Sequence, residues 1–185
     1  MNDKKNRICP VERSGGLDNK LRRLIQNPYK ILSPYVEKGM TVLDLGCGPV
    51  FFSIDMANMV GESGRIIASD LQKEMLQIVE KKIKGSEIEN RILLHKSEEN
   101  KIGISEQVDF ILLFYMVHEV PNKETFFNEI KTIIRQNGKI LIVEPPFHVS
   151  KIEFNKMLKL TNDIGFTIID MPKMLFQKTV VLQKK

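Results

Sequence analysis

Residues 40–50, MTVLDLGCGPV, constrain the fold of this chain more than any other stretch. Met40, Thr41, Val42, Leu43 and Leu45 suit a buried strand, which Gly46, Gly48 and Pro49 bring to a sharp end. Two glycines one residue apart let the backbone turn tightly and let a ligand approach without meeting a Cβ atom. Helix-like spacing follows in Phe51, Ile54 and Met59, with Gly61 as a stop. Strand, glycine turn and helix together read as a cradle for a nucleotide-like ligand.

The rest of the chain repeats the unit. GRIIAS (64–69), RILLH (91–95), VDFILLF (108–114) and GKILIVE (138–144) are apolar, strand-length runs. Between them, residues 70–84 place Leu71, Met75, Ile78, Val79 and Ile83 on one helical face, and residues 122–136 do the same with Phe126, Phe127, Ile130, Ile133 and Ile134. Strands alternating with helices predict an α/β fold whose parallel sheet is covered on both faces. The end differs. Ser150 and Glu153 form a capping-box pattern before the helix KIEFNKMLKLTNDI, and then GFTIIDM and MLFQKTVVLQ read as two strands with no helix between them, an antiparallel pair at one edge. Residues 1–35 hold no strand. Leu17, Leu21, Leu24 and Ile25 are expected to line one face of a helix there and Pro28 to start another, with Gly15 and Gly16 the expected hinge for closing the segment as a lid.

A chain of 185 residues is one domain by length: a helical cap (1–35) on a core (36–185). Its longest apolar run, residues 110–117, is far short of the ~20 a bilayer needs, and the N-terminus carries no apolar signal, so a cytoplasmic protein without membrane partners is expected. Cys9 and Cys47 make no disulfide framework. The net charge of +5 is spread along the chain and not gathered in a block, so it is only weak evidence for nucleic acid, which is not the expected partner.

In an open α/β sheet, ligands bind outside the carboxyl ends of the strands. The residues there are Gly46 to Gly48, Asp70, Ser97 to Glu99, Phe114 to Glu119, and Glu144 to His148, and they are expected to form one site. Phosphate fits the turn poorly, because Phe51 stands where a third glycine belongs and no Walker lysine follows. Asp44, two residues before Gly46, suits a cationic ligand group, and Asp70, about 20 residues after the glycines, is placed to accept from ribose hydroxyls. A ribose beside a cation describes S-adenosylmethionine.

From about Tyr35 onward the chain resembles the class I S-adenosylmethionine-dependent methyltransferases, in the small-molecule, ubiquinone/menaquinone-type (methyltransferase type 11-like) branch. VLDLGCGP is similar to that family's first motif, IIASDLQKEML to its ribose-binding acid, VDFILLFYMVHEVP to its fourth-strand motif, and FFNEIKTIIRQNGKILIVEP to the helix and strand beyond. The resemblance implies a Rossmann-like, doubly wound sheet of seven strands, mostly parallel with a reversed last strand. It implies a cofactor site of Asp44, Gly46, Cys47, Gly48, Asp70, Leu71, Ser97, Glu98 and Phe114, in which Gly46 and Gly48 pass the methionine part, Asp70 binds the ribose, and Ser97 and Glu98 border the adenine. Val50 and Ser97 are departures, standing where many members have a glycine and an acid.

Tyr115, His118, Glu144 and His148 lie on the side expected to hold the methyl acceptor. His118, able to exchange a proton near neutral pH, is the expected catalytic base. At each position a plainer reading stands beside this one: a turn without ligand, an Asp70 that only caps a helix, histidines bonded within their own loops. No close spacing among His118, Glu119, His148 and Cys9 supports a metal. The leading expectation is methyl transfer to a small molecule. An RNA or protein methyltransferase, or a cofactor-binding protein without catalysis, is the alternative, and the oligomeric state is not written in the sequence.

Overall fold

The computed structural model describes residues 26–49 and 51–185. The expected helix carrying Leu17 to Ile25, the Gly15–Gly16 hinge, Cys9 and Val50 lie outside the described residues.

Seven strands form one sheet: β1 (Thr41–Leu45), β2 (Arg65–Asp70), β3 (Ile92–Lys96), β4 (Val108–Phe114), β5 (Ile134–Glu144), β6 (Phe166–Asp170) and β7 (Lys178–Lys184). Their order is β3-β2-β1-β4-β5-β7-β6. The β1–β2, β1–β4, β2–β3 and β4–β5 pairs are parallel, whereas β7 runs antiparallel to both β5 and β6. The expected sheet with its reversed last strand is therefore present. From β1 the chain crosses first to β2 on one side and later to β4 on the other, so the strand order switches between β1 and β4, where such sheets open a crevice.

The helices are α1 (Pro28–Leu32), α2 (Ser53–Val60), α3 (Lys73–Ile83), α4 (Lys123–Ile133) and α5 (Lys151–Ile164). Side chains of a strand alternate between faces, so each strand feeds two cores. Val42, Ile66, Ala68, Phe110 and Leu112 pack with Leu32, Met56, Ala57, Val60, Val79 and Ile83 on one face. Leu43, Leu45, Ile67, Ile111 and Leu113 pack with Phe127, Ile130, Ile133, Phe154 and Met157 on the other. Among the described residues no helix is long and apolar enough to cross a membrane.

Three local expectations are corrected. In α2 the buried stripe is Ser53, Met56, Ala57 and Val60, with Ile54 and Met59 only half-buried. The helix starts two residues after Phe51, so counting from Phe51 rotates the face. In α3 Leu76 replaces Ile78 in the buried set, and Leu71 precedes the helix and is half-buried. The helix expected to reach Gln136 ends at Ile133, because Ile134 is fully buried and already pairs with Val108. The register slips between Val108 and Phe110, whose partners are Ile134 and Lys139. Gly138 lies at that slip, where a Cβ would crowd Ile134 Cδ1 at 2.6 Å and the backbone oxygen of Asp109 at 3.0 Å. The capping box is as expected: Ser150 N donates to Glu153 Oε2 (2.8 Å), and Glu153 N donates to Ser150 Oγ (3.1 Å).

Candidate active site

The carboxyl ends of β1, β2 and β4, with the loops after β3 and β5, surround a cavity of about 690 Å³. Asp44, Gly46, Cys47, Gly48, Asp70, Leu71, Ser97, Glu98, Phe114, Tyr115, His118 and His148 all line it. Glu144 does not.

Strand alternation explains the first acid. Val42 and Asp44 point to the α2 face, so the Asp44 carboxylate is buried (2% exposed) and accepts a hydrogen bond from Ser53 Oγ at 2.5 Å. Burial pushes its pKa up to about 7; the Ser53 bond opposes that rise and nearby Asp70 adds to it. The turn that follows uses its two glycines differently. Both have positive φ, +75° at Gly46 and +53° at Gly48, where a side chain is strained. A Cβ on Gly46 would sit 3.1 Å from Met116 Cβ, so this glycine makes room for the loop after β4. A Cβ on Gly48 would meet nothing within 4 Å, because the space beside it is the cavity. Between them, burial raises the Cys47 thiol well above its usual value and keeps it neutral at physiological pH.

Asp70 ends β2 with both oxygens held by backbone: Gly48 N donates to Oδ2 (2.9 Å) and Gln72 N to Oδ1 (2.8 Å). Burial raises its pKa, against the pull of these N–H groups. It does orient the chain into α3, as the plainer reading has it, but it also lines the cavity and joins the two turns that form its floor. An ionised carboxylate with two accepting oxygens fits a ribose diol, and an open glycine turn beside buried acids fits a cationic group. The residues present therefore suit S-adenosylmethionine.

The loop after β3 is fixed from a distance. Glu129 of α4 accepts from Ile102 N (2.9 Å) and Gly103 N (2.8 Å), and a His95 ring nitrogen lies 2.7 Å from Ile102 O. Ser97 is buried, while Glu98 is exposed and bridges to Lys101. Sequence reasoning missed Glu129, since nothing in a helical glutamate 26 residues from its partner Gly103 signals that it clamps a loop.

On the β4 side, Phe114 packs between Phe52 (centroids 4.4 Å apart) and Tyr115 (4.5 Å). Tyr115 has φ +60°, a left-handed conformation that costs a non-glycine residue about 1–3 kcal/mol. Its N–H donates to Val143 O (2.8 Å), and its hydroxyl accepts from Gln26 Nε2 (2.8 Å). His118, in the short turn Val117–Glu119, places Nδ1 2.6 Å from Glu144 Oε2, and its ring meets His148 edge-on at 5.7 Å. Burial works against its charged form, but the bond and charge of Glu144, with Glu119, outweigh burial and raise its pKa. Burial likewise pushes Glu119 up to about 7. Glu144 was expected to line the acceptor pocket; at the end of β5 and 1% exposed, it stands behind His118 instead.

Residues 36–179 match the family model described as a methyltransferase domain. A demethylmenaquinone methyltransferase of Geobacillus sp. (strain WCH70) is 30% identical over 109 residues, 59% of this chain and 47% of that protein. One from Lactobacillus johnsonii is 29% identical over 129 residues, 68% of this chain and 53% of that protein. The chain thus spans about half the length of the curated relatives it matches. A SAM-dependent methyltransferase from Aquifex aeolicus superposes with a TM-score of 0.83 at 28% identity, covering 95% of this chain and 98% of that one. With its domain match, its seven-stranded sheet and its acid-flanked glycine turn, the chain belongs to the methyltransferase-domain family and has the class I, S-adenosylmethionine-dependent fold.

Proposed function

We propose that this chain transfers a methyl group from S-adenosylmethionine to a small-molecule acceptor. The observation that carries this reading is Asp70, which lines the cavity with both oxygens oriented by the N–H groups of Gly48 and Gln72. When bound, the cofactor supplies an electrophilic methyl carbon on a sulfonium. Asp70 would accept from its ribose hydroxyls, Leu71, Ser97 and Glu98 would border its adenine, and Gly46 to Gly48, with Phe114, would flank its methionine part. Asp44 would balance its positive charge through the buried field between β1 and α2.

The acceptor belongs on the other side, with Tyr115, His118 and His148. There the chain has two tasks: to hold the acceptor in line and to exclude water. His118 takes the acceptor's proton. Support for a small acceptor comes from the cavity volume and from the name demethylmenaquinone methyltransferase carried by the curated relatives. Nucleic acid is disfavoured, because Asp70, Glu98, Glu99 and Glu129 line the cavity against one lysine, Lys101, a balance that disfavours phosphates.

Calorimetry with S-adenosylmethionine and its demethylated product tests the cofactor reading. Asp70→Asn is expected to weaken both at least ~10-fold, since a hydrogen bond to a charged group contributes ~1.5–3 kcal/mol. Unchanged affinity in a folded Asp70→Asn protein would remove Asp70 from the site. A panel of hydroxyl, amine and thiol acceptors then identifies the acceptor class.

A further inference from the structure

We propose that Glu144 is a positioning residue for His118: its carboxylate fixes the imidazole so that Nε2 is presented to the cavity as a proton acceptor, committing the site to acceptors that give up a proton from a hydroxyl or an amine. The assignment of acceptor class rests on the methyl-transfer reading; the assignment of the pair does not.

Geometry carries the pair. Glu144 ends β5, is 1% exposed and does not line the cavity, whereas His118 does. A buried carboxylate is costly unless it is paired, and the side-chain hydrogen bond that Glu144 makes is to His118 Nδ1, at 2.6 Å. An ionised carboxylate only accepts, so the ring hydrogen lies on Nδ1 and the lone pair of the neutral imidazole is on Nε2. Among the described residues, the acid that faces Nε2 is Glu119, whose Oε1 lies 4.0 Å away, beyond hydrogen-bond reach, which leaves Nε2 open to an acceptor. Sheet pairing fixes the backbone that carries the carboxylate, because Glu144 is in register with Lys178 of β7.

The proton step balances within the pair. The acceptor's O–H or N–H proton passes to Nε2, and the bonding electron pair stays on the acceptor, where it makes that oxygen or nitrogen, or a ring carbon conjugated to it, the nucleophile. His118 becomes an imidazolium, held beside the Glu144 carboxylate. Three other groups face the ring: Glu119 from the same turn, whose charge also favours the imidazolium, Lys123 from the first turn of α4, which opposes it, and His148 across the ring edge. A thiolate acceptor arrives already deprotonated and has no use for this arrangement.

The test uses the full chain, with histidine ring nitrogens observed by ¹⁵N NMR in the absence of any ligand. In the wild type, neutral His118 is expected to carry its hydrogen on Nδ1 and to titrate above an ordinary histidine. Glu144→Gln should mix the tautomers and bring the midpoint down by about one pH unit or more. Glu144→Asp, which keeps the charge, should recover part of both. On the hydroxyl or amine acceptor found by the panel, Glu144→Gln should lower kcat at least ~10-fold, a part of the 10²–10⁴-fold that full acid–base catalysis supplies, and move the acid limb of the rate to lower pH while cofactor affinity holds. A wild-type hydrogen on Nε2 overturns the proposal whether or not any variant folds. So does a midpoint that Glu144→Gln leaves in place, or equal turnover of wild type and Glu144→Gln at every pH. If calorimetry finds no cofactor binding, the methyl-transfer reading and the acceptor class fall with it, and the NMR titration still decides the pair.

Discussion

Asp44 is held in the least water-like surroundings of the acids that line the cavity, and Ser53 is what makes its charge tolerable. The hydroxyl donates at 2.5 Å and draws the carboxyl pKa down against the larger effect of burial. Ser53→Ala should therefore destabilise the protein by ~1–3 kcal/mol at pH 8, where Asp44 is ionised, and by less at pH 5, where it is protonated. Urea denaturation at the two pH values checks this, and an equal loss at both would mean that the bond does not favour the charged form. The acid itself was legible, since a strand of period two that places Val42 inward must place Asp44 on the same face. Its partner was not, because Ser53 looks like any polar residue at a helix start. Glu144 shows the same limit: position at a strand end marked it as near the site, but only the fold shows that a neighbouring strand's turn brings His118 between it and the cavity.

Among the elements, α5 is the one whose start bears most directly on the site, because the loop carrying His148 runs straight into its capping box. Ser150→Ala removes the side chain that receives Glu153 N and should cost about 0.5–2 kcal/mol, whereas Ser150→Gly should cost only a few tenths. Comparison of the two by denaturation separates cap loss from loss of packing; equal effects would argue against a capping role. The capping box was readable as a Ser-x-x-Glu pattern, and the strands were readable as apolar runs, because a doubly covered sheet demands them. The antiparallel ending was readable too, since two strand-like runs with seven residues between β6 and β7 leave no room for a crossover helix. Boundaries were less so. The periodicity of α4 continues through Ile134, and what stops the helix is a strand partner, Val108, far back in the sequence.

Across the whole molecule the charge is inverted at the site: in a chain of net charge +5, the charged residues that line the cavity are acids apart from Lys101. Folding concentrates those acids away from water, and the consequence is a stability that depends on pH with a definite sign. Folded Asp44 and Glu119 hold their protons up to about 7, whereas unfolded carboxyls release theirs near 4. Between these values the unfolded chain has given up protons that the folded chain keeps, so stability falls as pH rises from about 4 to about 7 and then levels. His118 acts in the same direction. Its folded pKa is raised, so its contribution is complete below an ordinary histidine value of about 6.5 and is lost as pH rises through the folded value. Exposed Glu153, whose pKa the Ser150 bonds lower, favours the folded state above its ordinary range and matters only at lower pH, below about 4.5. The denaturation midpoint of the ligand-free protein is therefore expected to drop between pH 5 and pH 8, and Asp44→Asn should flatten that drop. A cationic ligand reverses the pressure, because a positive charge beside Asp44 and Glu119 favours their ionised forms. Binding of S-adenosylmethionine at pH 6.5 should then release protons, read as a binding heat that changes with the ionisation enthalpy of the buffer. Proton uptake, or a pH-independent midpoint without ligand, would show that the buried acids of the cavity are not what its cation meets.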